Sequence, residues 1–123
     1  MALALCLSLL STATLATDDS VDSPSESVTL IGDGLSEDTA FQIPNLATLE
    51  YYRDKINSTA ESDAVYRSAY YRLTADINMS GSYGANINGK EVSWTPIGNT
   101  DSNAFTGVFD GNEKIVSGLY IND

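Results

Sequence analysis

Between Arg72 and Met79 the chain alternates strictly: Leu73, Ala75, Ile77 and Met79 are apolar, and Arg72, Thr74, Asp76 and Asn78 are polar. A period of two sends successive side chains to opposite faces of an extended backbone, so this segment reads as a strand with one buried face. Ser80-Gly81-Ser82-Tyr83-Gly84 ends it with turn formers. Further short apolar pieces follow. Trp94-Thr95-Pro96-Ile97-Gly98 is one; Phe105, Gly107 and Phe109 alternate with Thr106, Val108 and Asp110; Asp110-Gly111-Asn112 then turns the chain into Ile115, Val116, Leu119 and Ile121. Strands this short, separated by Gly, Asn and Asp, fit a solenoid, whose corners reverse within a few residues and often need positive φ. A small β-sandwich accounts for the same strands.

One helical signature lies upstream. Asn45 is a good N-cap, and Leu46, Leu49, Tyr52 or Arg53, and Ile56 follow at helical spacing, with Glu50, Arg53, Asp54 and Lys55 largely on the other side. The pattern predicts an amphipathic helix over 46–57 that covers one end of a core. Before it come the turn Gly32-Asp33-Gly34 and a strand candidate, Ala40-Phe41-Gln42-Ile43, ended by Pro44, so that 30–57 reads as one opening unit. Residues 58–70 read as a polar loop and 71–123 as the strand-bearing part. Residues 17–29 place Asp18, Asp19, Asp22 and Glu26 among serines and Pro24. Such a segment buries too little apolar surface to offset the entropy of ordering it, and is expected to be a flexible acidic leader.

The first sixteen residues carry no charge, and residues 2–10 are apolar except for Ser8. Small and polar residues follow, which is the layout of a signal peptide with cleavage after Ala16, although no Lys or Arg precedes the apolar run. That run is too short for a membrane span, which needs about 20 apolar residues. After cleavage no stable membrane insertion is expected, and Cys6, the single cysteine, is lost with the signal. An exported domain would then hold together without disulfides. The expected location is extracellular or on the cell surface.

Seventeen acidic side chains against six basic ones give a net charge of −11 over 123 residues. This balance works against nucleic-acid binding, which neutralises phosphates with Lys and Arg. The chain has no histidine, so Ser-His-Asp and Cys-His nucleophile systems and histidine-ligated zinc are excluded within it.

The succession Gly32-Asp33-Gly34, Phe41-Gln42-Ile43, a helix, residues 71–79, Trp94-Thr95-Pro96-Ile97-Gly98, Phe105-Thr106-Gly107-Val108-Phe109-Asp110-Gly111-Asn112 and residues 115–122 resembles the N-terminal part of bacterial surface proteins with GLUG-type repeats. The resemblance covers roughly residues 31–123. It implies an all-β fold: the opening coils of a right-handed parallel β-helix of pectate-lyase-like shape, with one N-terminal capping α-helix. Gly107, Asp110, Gly111, Asn112 and Gly118 would form the coil turns, with Glu113 standing where the family usually has glycine. Leu73, Ile77, Phe105, Phe109, Leu119 and Ile121 would share one interior column. The chain stops directly after a core strand, so truncation at the C-terminus is expected, with self-association through the uncapped last coil.

Candidate chemistry is sparse. Asp76 near Arg72, or Asp110 near Lys114, could mimic the acid and base of polysaccharide lyases, but outward strand charges account for both pairs. Asp101-Ser102-Asn103 and Asp110-Gly111-Asn112 lack a calcium-loop spacing and read as turns. Seven tyrosines and Trp94 could stack on sugars, although tyrosine equally suits the edge of a small core. No catalytic, cofactor or metal residue is assigned. The expected function is a non-catalytic extracellular or cell-surface scaffold, adhesin-like, with a glycan or host surface protein as partner. The alternatives are the leading end of a carbohydrate-active enzyme, or of a surface peptidase, with the active site beyond residue 123.

Overall fold

The structure, a computed structural model, describes residues 27–122; the expected signal peptide with Cys6 and Ala16, most of the expected leader (up to residue 26) and Asp123 lie outside them. Strand β1 is Phe41–Ile43, and helix α1 runs Leu46–Asn57. A 3₁₀ helix, Glu61–Ser68, leads into β2 (Tyr70–Leu73) and β3 (Ile77–Asn78). Then come β4 (Gly84–Ile87), β5 (Lys90–Val92), β6 (Val108–Asp110) and β7 (Val116–Ser117).

Asn45 caps α1 as its side chain suggests, its Oδ1 accepting from the Thr48 amide at 2.9 Å and from the Thr48 hydroxyl at 2.7 Å. Thr48, Leu49, Tyr52 and Ile56 form the buried stripe. The helix packs against β1 and the 3₁₀ helix. Ile43, Leu49, Tyr52, Ile56, Tyr71 and Leu73 form the centre of one apolar cluster, which continues through Ile77 and Met79 to Tyr83 and Trp94.

The parallel β-helix does not form. The seven strands of the described residues fall into three separate sheets, of three, two and two strands, none of them closed or coiled. Order β1-β2-β6 is parallel throughout, β3 pairs with β7 in parallel, and β4-β5 is an antiparallel hairpin. Together with α1 and the eight-residue 3₁₀ helix this is a mixed architecture rather than an all-β one. The physical reason lies in how short each strand is. The alternating segment that reads as one strand is broken at 74–76 into β2 and β3, because Asp76 turns its carboxylate to the Ile115 amide (2.9 Å) instead of extending a ladder. Alternation survives a bend of this kind, so Leu73 and Ile77 are both buried without belonging to one sheet.

Two further departures have local causes. Residues 58–70, polar in sequence, contain the 3₁₀ helix, held by Arg67, whose guanidinium donates to the Ser58 carbonyl at 2.9 Å. The β4-β5 hairpin turns on Asn88-Gly89, both at positive φ (52° and 85°), the conformation that two-residue hairpins require. That dipeptide is a strong hairpin signal, but the flanking strands carry few apolar residues and so show no apolar periodicity.

Candidate functional site

The run from β6 to β7 lies along the run from β2 to β3. Tyr70 pairs with Val108, Tyr71 with Phe109 and Arg72 with Asp110; beyond the corner Ile77 pairs with Val116 and Asn78 with Ser117. Segment 120–122 is tied to the chain around Trp94, whose amide donates to the Tyr120 carbonyl at 2.8 Å. Residues 108–121 therefore form one outer layer, and it is apolar on its open side. Phe109 is 41% exposed, Ile115 63%, Leu119 54% and Ile121 46%. Of the six residues expected in one interior column, only Leu73 and Ile77 are enclosed; Phe105 is half-buried, and Phe109, Leu119 and Ile121 face solvent.

The corner joining the two halves of this layer shows why the outer run keeps register with the inner one. Asp110 accepts the Asn112 amide at 2.8 Å, and Asn112 donates its side-chain amide to the Leu73 carbonyl at 3.1 Å. Asn112 and Glu113 both sit at positive φ, 52° and 59°. Gly107 is needed for close approach, since a β-carbon there would run into the Ala69 carbonyl. Gly118, at φ 72°, would collide with Ser80 in the same way. Gly111 is exposed, with open space where a β-carbon would be. Asp110, Gly111 and Asn112 are thus gathered in one corner, Gly107 and Gly118 flank it at the two ends of the layer, and Ala16 lies outside the described residues.

No known protein family, curated protein or solved structure matches this chain.

The charged candidates are paired differently from their spacing in sequence. Arg72 Nε lies 3.0 Å from Asp110 Oδ2, and its other end is 3.8 Å from Glu37 Oε2. Asp76 turns away to the Ile115 amide. A depression of about 400 Å³ beside this pair is lined by Glu37, Ala40, Tyr70, Arg72, Val108 and Asp110. The Asn112 amide and then Arg72 hold the Asp110 carboxyl below its ordinary range, which keeps it an acceptor rather than an acid. Among the described residues there is no group of three or more acidic, Cys or His side chains placed to hold a metal ion.

The aromatic residues are mostly structural. Trp94 is 7% exposed, with the Arg53 guanidinium 4.5 Å over its ring and Tyr83 meeting it edge-on at 5.3 Å. Tyr83 in turn donates to Glu50 at 2.5 Å and accepts from Arg53 at 3.1 Å. Tyr52 and Tyr71 are buried. Rings this buried leave little face for a sugar to stack on. The surface with most to offer a partner is the apolar layer, whose Phe109, Leu119 and Ile121 are expected from sequence in an interior column and are exposed instead.

Proposed function

We propose that this chain is a non-catalytic extracellular or cell-surface scaffold, adhesin-like in kind, which contacts other polypeptide through the layer 108–121. The observation that carries this reading is the open apolar layer itself. It gathers several large apolar side chains on two parallel sheet edges, β6 and β7, and an edge of that kind pairs with extended polypeptide rather than with a small molecule. The uncharged first sixteen residues support export, and the acidic balance suits an exposed, soluble surface domain. The likeness in motif order to the opening region of GLUG-type surface proteins points to the same location.

Expression of the full chain in an exporting bacterial host, with fractionation and N-terminal sequencing, tests the reading. A product outside the cytoplasm beginning at Thr17 is expected. An uncleaved product confined to the cytoplasm would overturn it.

A further inference from the structure

The three-stranded sheet carries a row of rings in register. Phe41 pairs with Tyr71, and Tyr71 pairs with Phe109. Ring centroids are 5.4 Å apart in the first pair and 6.3 Å in the second. The row ends at Phe109, on the edge of the sheet.

Backbone polarity at that edge is equally specific. The Val108 amide donates inward to the Ala69 carbonyl at 3.1 Å. In a parallel ladder alternate residues face the neighbouring strand, so Phe109, next along, turns both its N–H and its C=O away from β2. A two-fold axis beside an edge strand needs one residue of this kind. Across the axis the two copies of that residue run antiparallel and exchange both hydrogen bonds, with α-carbons about 5.5 Å apart.

We infer that this protein forms a symmetric dimer with a second copy of itself, β6 against β6, with Phe109 paired with Phe109 across the axis. The inference rests on the reading of layer 108–121 as a contact surface, and names its occupant. A second copy extends the aromatic row from three rings to six, and an aromatic pair directly opposite is among the more favourable cross-strand pairs. An arbitrary strand would supply hydrogen bonds but no ring in register. Phe109, Ile115, Leu119 and Ile121 are all exposed in the layer that carries the axis, and so add apolar surface to the contact. Val108 and Asp110 lie on the other face of the strand, and each Asp110 already faces its own Arg72 at 3.0 Å, so the axis brings no unpaired carboxylates together. At −11 per chain the copies repel at long range, and added salt should tighten the dimer.

Sedimentation equilibrium of the full chain from micromolar to submillimolar concentration, at low and high salt, tests this. A monomer–dimer equilibrium that tightens with salt is expected. Phe109→Pro removes both the outward N–H and the ring that ends the row, while the inward bonds of Val108 and Asp110 are kept, so it should weaken the dimer by at least about 10- to 100-fold. Val116→Pro, which removes the corresponding outward N–H on β7, should leave the dimer within about 3-fold. Should the proline variant fail to fold, Phe109→Lys sets like charges opposite each other and reads the same loss. A monomer at every concentration, open-ended growth, a dimer indifferent to both Phe109 variants, or one broken equally by Val116→Pro would overturn the inference. An exported monomer leaves the surface reading standing while the dimer falls; a dimer confined to the cytoplasm does the reverse.

Discussion

The rings of Tyr52 and Tyr71 meet edge to face at 5.2 Å in the middle of the core, and only one of their two hydroxyls is satisfied. Tyr71 donates to the Tyr66 carbonyl at 2.6 Å, whereas the Tyr52 hydroxyl is buried without a partner among the described residues. A buried unpaired hydroxyl costs about 1–3 kcal/mol, and a made hydrogen bond contributes about 1 kcal/mol. Tyr52→Phe should therefore be neutral or stabilising by up to about 1 kcal/mol, and Tyr71→Phe destabilising by about 1 kcal/mol. Urea unfolding of the two variants reads the opposite signs directly.

The same two residues set the alkaline limit. Burial pushes the Tyr52 hydroxyl up to about 12 and moves Tyr71 in the same direction, further still. A group whose folded value is raised adds stability that is fully present below its unfolded value, about 10, and is lost as pH climbs through the folded one. Stability should accordingly hold to about pH 10 and decline above it. Phenolate absorbance should appear in two steps, the second coincident with loss of near-ultraviolet circular dichroism. A single step near the free-tyrosine value in a still-folded protein would contradict this.

On the acid side Glu91 is one of the sensitive groups. Hydrogen bonds from Tyr120, 2.6 Å away, and from Asn122 lower its carboxyl. Its contribution is present above the ordinary carboxylate range and lost as pH falls below it. Acidification should release segment 120–122 from its place beside Trp94 before the core unfolds. Faster exchange of the Trp94 amide, which donates to the Tyr120 carbonyl, reports the release, and Glu91→Gln should reproduce it at neutral pH.

Glu113 is held at φ 59°, a conformation that a side chain disfavours by about 1 kcal/mol relative to glycine. Glu113→Gly should stabilise by about that amount, less the cost of a more flexible unfolded chain. Asn112→Ala should destabilise by about 1–2 kcal/mol, since it removes the bond to Leu73 and keeps the left-handed backbone. Thermal midpoints of the pair moving in opposite directions are the expected outcome.

At the C-terminus of α1, Asn57 donates to the Pro96 carbonyl at 2.9 Å and accepts the Gly98 amide at 2.7 Å. Its own carbonyl accepts from the buried Asn103 at 3.0 Å. Replacing Asn57 by Ala should cost about 2 kcal/mol and loosen loop 96–103, visible as faster amide exchange at Gly98.

Local chemistry was legible where a single residue type does one job. The N-cap at Asn45, the stripe Leu49, Tyr52 and Ile56, and the turn at 110–112 depend on neighbours within a few positions, and the sequence carries them. Period-two alternation was less informative, because Leu73 and Ile77 keep the same face whether the chain between them extends or bends at Asp76. The layer 108–121 was legible as apolar and illegible as exposed, since a Leu119 in a core and a Leu119 on an open layer look the same in sequence.

By itself, then, the sequence determined one helix with its cap, the turn at 110–112, an acidic balance without histidine chemistry, and which side chains are apolar. Tertiary structure decided the rest: three small sheets in place of one coiled sheet, Trp94 closed between Arg53 and Tyr83, and Phe109 at an open edge. These outcomes depend on hydrogen bonds and contacts between residues about 30 to 40 positions apart, and no local pattern encodes which of two apolar segments lies inside the other.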